Sequence, residues 1–241
     1  MNEHTEDGRD TAIADLSERD AFWLDKVRTE FVAGFRAMQN ASDVVTVYGS
    51  ARVQDGSPVY RLAREVGEKL ARAGFTVVTG GGPGVMEAAN RGALEAGGPS
   101  IGLGISLRGG EPPNRFTSDA VLFRYFFVRK LMLVKYAMAF VLMPGGLGTI
   151  DELFETLNLI QTGKVNRFPI ILVGSAYWAG MLDWMRARVL EGGFIGRKDL
   201  DLFLIEDSAD AVVAAIKHWR ETHDMAGLES QAMARPRLAL D

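Results

Sequence analysis

The stretch from Ala137 to Phe154, AMAFVLMPGGLGTIDELF, decides the fold. Ala137 to Leu142 is an unbroken apolar run, and Phe140 to Met143 reads as its strand, of the kind covered on both faces. Met143 to Gly148 is a turn built on Pro144, Gly145, Gly146 and Gly148, and it opens into a helical pattern carrying Asp151, Glu152 and Glu155. Strand, glycine turn and helix start together make an anion-binding corner. The first N–H groups of a helix have no carbonyl partner within it, and the helix dipole favours negative charge at that end.

The same alternation extends in both directions. Upstream, Val44–Tyr48 is a β-branched run ending in Gly49-Ser50, and Tyr60–Ala73 is an amphipathic helix closed by Gly74. Phe75–Val78 is a second strand, turning through Thr79-Gly80-Gly81-Gly82-Pro83-Gly84 into the helix Val85–Ala96. Ser100–Leu107 reads as a third strand. A loop rich in Gly, Pro and Asn leads to Ala120–Phe126, read as strand or irregular, and then to a helix containing Arg129 and Lys130. Downstream, Thr149–Thr162 is a helix, Pro169–Val173 a strand, Trp178–Leu190 a helix, Leu202–Ile205 a strand and Ala209–Thr222 a last helix. Strands separated by helical stretches imply right-handed βαβ units. The expected fold is α/β, a doubly wound Rossmann-like parallel sheet flanked by helices.

An extra N-terminal helix precedes it. Phe22, Trp23, Val27, Phe31, Phe35 and Met38 recur at helical spacing, with Ser17 as its cap. That face packs on its own domain or contributes to an oligomer interface. Residues 1–16 are polar and read as a disordered tail, 17–224 as a single nucleotide-binding domain, and 225–241 as a loose C-terminal tail.

Composition narrows the function classes. The chain has 241 residues, no cysteine and a net charge of −4. The absence of cysteine removes disulfides and thiolate catalysis, and fits a reducing compartment. The acidic balance argues against a nucleic-acid partner, whose phosphates a binder must neutralise. No apolar stretch approaches the ~20 residues that span a bilayer, and the first twenty residues carry no leader pattern. A protein free in the cytoplasm, without a membrane partner, is expected.

In a doubly wound sheet, ligands bind beyond the carboxyl ends of the strands at the switch point. Three glycine-bearing turns fall at such ends: Gly49-Ser50, Gly80 to Gly84, and Gly145 to Thr149. Together they read as a phosphate cradle. The dinucleotide fingerprint fails, since Glu87 stands where its third glycine belongs and no acidic residue closes the third strand. The P-loop sequence is absent as well. His4, His218 and His223 form no metal-ligand pattern, so neither a metal nor a cofactor is expected.

Arg129 and Glu152 are the charged residues the topology brings towards that cradle. An arginine beside a carboxylate suits a reaction in which phosphate is held while positive charge develops nearby, as in N-glycosidic hydrolysis. An alternative stands beside it. Thr149-Ile150-Asp151-Glu152 also matches the capping box, in which Thr149 and Glu152 only satisfy helix-end N–H groups. Arg129 is equally readable as an ordinary helix arginine.

The residues Pro144 to Glu152 resemble the PGGxGTxxE motif of the LOG ("lonely guy") family, the cytokinin riboside 5′-monophosphate phosphoribohydrolases. Arg129-Lys130 falls where that family has its RK pair. Gly80 to Met86 is similar to its GGGxxGxM turn, and Tyr48-Gly49-Ser50 to its CGS segment, with tyrosine in place of cysteine. The resemblance covers about Val44 to Val173, and the N-terminal helix and the Glu87 to Asn90 continuation place the chain with the longer branch.

It implies an enzyme of cytokinin biosynthesis, or one acting on AMP, that releases free base and ribose 5-phosphate from a nucleoside 5′-monophosphate. Arg129 and Glu152 would be catalytic. Gly49, Ser50, Gly81, Gly82, Met86, Glu111, Asn114, Lys130, Gly145, Gly146, Gly148, Thr149 and Asp151 would contact substrate. It also implies a homodimer or higher homo-oligomer with sites at the subunit boundary. The competing class is a non-catalytic nucleotide or molybdenum-cofactor-type carrier, which needs the cradle but not Glu152. A pyridoxal-phosphate lysine decarboxylase would need a Schiff-base lysine, and the settings of Lys130, Lys135 and Lys164 give none of them cause for a depressed pKa.

Overall fold

The computed structural model describes residues 16–106 and 112–223. The chain begins with α1 (Glu18–Met38), β1 (Val44–Tyr48), α2 (Pro58–Arg72), β2 (Thr76–Thr79) and α3 (Val85–Glu95). It continues with β3 (Ser100–Ile105), β4 (Asp119–Phe123), α4 (Phe126–Lys135), β5 (Ala137–Leu142) and α5 (Leu147–Gln161). Last come β6 (Ile170–Val173), α6 (Ser175–Trp184), β7 (Phe203–Glu206) and α7 (Ala209–Thr222). Among the described residues the strands form one seven-stranded sheet in the order β4-β3-β2-β1-β5-β6-β7, and every pairing is parallel. The order reverses between β1 and β5, which makes that pair the switch point.

Both faces of the sheet are covered, which is why all five residues of β1 are buried. On one face α2, α3 and α7 pack through Tyr60, Val66, Leu70, Ala89, Val212 and Ile216. On the other, α1, α4, α5 and α6 pack through Met38, Met132, Leu153, Leu157 and Trp178. The connections α2 and α3 of the β1–β3 half therefore lie on one face and α4, α5 and α6 around β5 on the other, the two halves winding to opposite sides of the switch point. Helices α2 and α3 approach closely at two glycines. A Cβ on Gly67 would overlap the Ala89 carbonyl, and one on Gly92 would overlap the Arg64 carbonyl.

The extra N-terminal helix bears on the site through α4. The Ser17 hydroxyl accepts the Asp20 N–H and starts α1, as expected. Helix α4 has no side-chain cap of its own. Glu30 of α1 supplies one, accepting the N–H groups of Arg124 at 2.9 Å and Tyr125 at 3.1 Å. A carboxylate there also complements the dipole of α4. Burial of α1 is shallower than its apolar spacing predicts: Val27 and Met38 are buried, but Phe22 is 64% exposed and Trp23 46%. Trp23 lies over Tyr125 and Phe127 rather than in the core.

Several boundaries move. Ala120–Phe126 resolves into the edge strand Asp119–Phe123, paired with β3. Helix α6 begins at Ser175, three residues early, and passes at Met185 into a π-helical turn that runs to Leu190. A 3₁₀ segment, Arg197–Leu202, precedes β7 where no element was expected. Helix α5 begins at Leu147, not Thr149, with Gly146 as its N-cap. No helix among the described residues is long and apolar enough to cross a membrane. The expected tails, 1–16 and 225–241, lie outside the described residues except for Leu16.

Candidate active site

At the switch point the three glycine turns are tied together by Ser50. Its N–H donates to the Pro144 carbonyl at 3.1 Å, and its own carbonyl accepts the Val85 N–H at 3.0 Å. The loop after β1 is thereby held against both the loop after β5 and the start of α3. Glycine is required where the turns meet. Gly84 has φ +68°, and a Cβ there would overlap the Ser50 carbonyl. A Cβ on Gly49 would lie 2.7 Å from Cβ of Val85.

The second turn rests on a buried polar network. Thr79 Oγ1 donates to Asn90 Oδ1 at 2.6 Å and accepts the Gly81 N–H at 2.9 Å. Asn90 Nδ2 donates to Ser100 Oγ at 2.8 Å. Asn114, expected to touch substrate, has its amide fully engaged. Nδ2 donates to the Gly82 carbonyl at 3.1 Å and to Asn90 Oδ1 at 3.0 Å, while Oδ1 accepts the Phe116 N–H at 3.1 Å. Its role here is to fix Gly82, with its own N–H on the Gly81 carbonyl. Met86 lies over this turn, its Sδ and Cε atoms occupying the space a Cβ on Gly80 or Gly82 would need. Glu111 lies outside the described residues.

The third turn is the open one. The N–H groups of Gly146, Leu147 and Gly148 bond no carbonyl among the described residues, and no side chain caps the helix. Leu147 is 86% exposed. Thr149 sits just beneath, its hydroxyl in the space a Cβ on Gly145 would fill. The Tyr177 hydroxyl donates to the Gly145 carbonyl from α6, a support the sequence did not reveal. Free N–H groups at the positive end of a fifteen-residue helix are suited to holding an anion.

The helix start overturns the capping box. With Gly146 as N-cap, Thr149 is the third helical residue and Glu152 the sixth, so neither can serve a helix-end N–H in that motif. Glu152 is instead buried at 5% exposure, and its Oε2 has no hydrogen-bond partner. Burial pushes its pKa up to about 7, against the pull of Lys130 and Arg129. Two further buried hydroxyls without partners share its neighbourhood: Tyr48 at the end of β1, and Thr156 one turn further along α5.

Arg129 is no ordinary surface arginine. Its Nε donates to the Leu103 carbonyl at 2.8 Å, and Nη2 lies against Gly80, where no side chain intervenes. Burial draws its pKa down, while the charge of Glu152 opposes that. Lys130 points elsewhere. Its Nζ lies 2.8 Å from both Asp151 and Glu155, bridging α4 to the outer side of α5. Lys130 and Asp151, both expected to bind substrate, are thus paired with each other. Burial disfavours the ammonium, yet the two carboxylates outweigh it and hold its pKa above the ordinary value.

Of the residues expected at the site, the structure brings Gly49, Ser50, Gly81, Gly82, Met86, Arg129, Gly145, Gly146, Gly148, Thr149 and Glu152 to one sheet edge. Tyr48, Asn90 and Thr156 were not among the residues expected to contact substrate or catalyse. Thr156 had a legible signal, since it follows Glu152 at the i+4 spacing of one helix face. An apolar cavity of about 180 Å³ lies on the far flank of α5, lined by Phe154, Leu157, Trp184, Met185, Val189 and Ile195, and none of the site residues reaches it. Among the described residues no group of three or more His, Asp or Glu could hold a metal ion.

The chain is similar to several known proteins. A cytokinin riboside 5′-monophosphate phosphoribohydrolase of Rhodococcoides fascians is 26% identical over 184 residues, covering 72% of this chain and 88% of that protein. A pyrimidine/purine nucleotide 5′-monophosphate nucleosidase of Escherichia coli is 30% identical over 156 residues, which are 59% of this chain but 34% of that longer protein. In fold alone, the chain is similar to a molybdenum cofactor binding protein of Rippkaea orientalis, with a TM-score of 0.57 and 22% identity over 74% of this chain and 98% of that one. The family model described as "Possible lysine decarboxylase" matches residues 86–216, which take in α3, α4, Arg129, the third glycine turn and Glu152. The chain belongs to that family, the LOG family.

Proposed function

We propose that this protein hydrolyses the N-glycosidic bond of nucleoside 5′-monophosphates, releasing the free base and ribose 5-phosphate. The observation that carries the reading is Glu152, a buried carboxyl without a partner, on the helix whose open N-terminus faces the same sheet edge. Relatives named as phosphoribohydrolase and as 5′-monophosphate nucleosidase support it.

In this reading the 5′-phosphate lies on the N–H groups of Gly146, Leu147 and Gly148, with Arg129 fixing its orientation from beneath Gly80. The Gly81-Gly82 turn and Met86 border the sugar and base. As the bond from the anomeric carbon to the base nitrogen breaks, the electron pair leaves with the base and the ribose becomes oxocarbenium-like. The Glu152 carboxylate stabilises that positive charge, and in a site of low dielectric the effect is large. It then accepts a proton from the attacking water, and the departing base takes up a proton in turn. Glu152 must be ionised to do this, so activity rises with pH through about 7 in the free enzyme.

The carrier reading keeps the cradle but gives no reason to bury an unpaired carboxyl. The decarboxylase named in the family description would need a neutral lysine, whereas Lys130 is held protonated by two carboxylates. We further propose a homodimer or larger homo-oligomer built on the site-bearing helices, since α4 and α5 leave Phe126 54%, Leu131 47% and Phe154 37% exposed. Light scattering on the purified protein tests that part.

For the activity, the protein is incubated with AMP and with isopentenyladenosine monophosphate, and the products are separated by chromatography. Free base should appear from at least one, and Glu152→Gln should abolish its release. No base from any monophosphate, or undiminished release by Glu152→Gln, defeats the assignment.

A further inference from the structure

Tyr48 has no part in the reaction as described, yet it is placed beside its central group. It is the last residue of β1, its ring packed edge-on against Phe140 at 5.0 Å on the face of the sheet that α4 and α5 cover. Strand β5 lies alongside, with Tyr48 in register with Leu142 and the Met143 N–H on the Tyr48 carbonyl at 2.8 Å. Helix α5 leaves the end of β5 directly above.

Three polar atoms buried in this layer have no protein partner: the Tyr48 hydroxyl, Glu152 Oε2 and Thr156 Oγ1. Among the described residues they are the complete set of such side-chain atoms. Glu152 and Thr156 are four residues apart on α5, so their side chains lie on one face, one turn apart. Buried polar atoms in native proteins are almost always hydrogen-bonded, through internal water where no protein group reaches. An internal water needs two to four polar neighbours.

We propose that Tyr48 is a positioning residue for Glu152: its hydroxyl and that of Thr156 join the carboxyl through internal water in one buried hydrogen-bonding unit that favours the carboxylate. The phenol responds to that surrounding charge. Burial, then the negative charge of Glu152, raises its pKa well above the ordinary value, so the hydroxyl keeps its proton and donates at neutral pH. The other charged groups facing Glu152 are Arg129 and Lys130 from α4, and Asp151 and Glu155 from its own helix. None of them is a neutral donor, and the hydroxyls fill that role.

The inference rests on the hydrolase reading only for the catalytic meaning of the carboxylate, so its test does not depend on turnover. The protein is labelled with Cδ-enriched glutamate, and the Glu152 carboxyl is titrated by carbon NMR, assigned by the signal lost in Glu152→Gln. Tyr48→Phe keeps the ring against Phe140 and removes only the hydroxyl. A hydrogen bond to a charged group is strong enough to move a pKa by about one unit, so the Glu152 midpoint should rise by about that much. Thr156→Val should move it in the same direction, and serves alone should Tyr48→Phe not fold. A shifted midpoint in a protein without turnover upholds the unit while removing the hydrolase. Midpoints identical to the parent's in both variants overturn it.

Discussion

Replacing Glu152 by glutamine should stabilise the protein, and only on the alkaline side. The carboxyl is 5% exposed, without a partner for Oε2, and its pKa rises from 4.5 to about 7 on folding, chiefly through burial. A raised carboxyl pKa means the folded state prefers the protonated form. Its contribution to stability is therefore fully present below the unfolded value and is lost as pH rises through the folded one. The shift corresponds to about 3 kcal/mol at ~1.4 kcal/mol per unit. Glutamine has the shape of the protonated acid and no charge to bury. The stabilities of Glu152→Gln and the parent should be similar near about pH 4.5 and diverge up to about pH 8, with the variant the more stable by about 3 kcal/mol. For a chain of this size that is roughly 6 to 12 °C in melting temperature. Urea denaturation of both proteins across the range measures it, and taking the difference cancels titrations elsewhere. Parallel stability curves, or a less stable variant at the alkaline end, would refute the claim that this carboxyl is held against its own solvation.

Gly80→Ala would place a Cβ on Nη2 of Arg129 and 2.8 Å from Sδ of Met86. The guanidinium must move, and kcat/KM should fall by about 100-fold, as misplacement by an ångström does elsewhere; unchanged kinetics would detach Arg129 from the reaction. Lys130→Met removes a cation that lowers the Glu152 pKa, so the acidic limb of the pH–rate profile should move to higher pH. A raised KM with an unmoved limb would instead return Lys130 to substrate binding. Gly67→Ala sets a methyl group into the Ala89 carbonyl across the α2–α3 contact, and should cost about 1 to 3 kcal/mol in denaturant titrations without altering the pH profile.

The sequence made the fold legible because its signals were local and repeated. Runs such as Val44–Tyr48 and Ala137–Leu142, each followed within three residues by glycine, can be read without knowing what they pack against. The reversal between β1 and β5 is not local, yet three glycine turns at strand ends already pointed to one edge. What escaped was geometry decided by a residue or two. The capping-box pattern of Thr149 to Glu152 is real in sequence, but Gly146 starts the helix earlier and turns Glu152 inward. The family resemblance makes Lys130 and Asp151 substrate ligands, but the helix period sends each to the outer side, where they meet. Asn114 follows the same logic, since an amide in a loop beside a glycine turn can bind a ligand or fix the turn, and only its partners distinguish the two.

The two buried polar clusters at this edge explain how one small region can be both rigid and reactive. Thr79, Asn90, Ser100 and Asn114 bond one another and the Gly81-Gly82 backbone, and a satisfied network in a low-dielectric interior holds its geometry firmly. Tyr48, Glu152 and Thr156 lie at the same edge with atoms that no protein group satisfies. Were such atoms accidents of packing, they would be scattered through the interior. Among the described residues all three instead gather at the carboxyl whose ionisation the proposed chemistry needs, beneath the helix end left open to an anion. The first cluster positions the turn proposed to border the sugar, so it gains from being closed to further bonding. In the proposed reaction the second must exchange protons, and a carboxyl already locked by strong partners would have its pKa driven far from neutrality. Leaving Glu152 unpaired costs stability above about pH 7 and keeps it poised to ionise there. The alkaline gain predicted for Glu152→Gln and the loss of its activity are thus two readings of one physical fact.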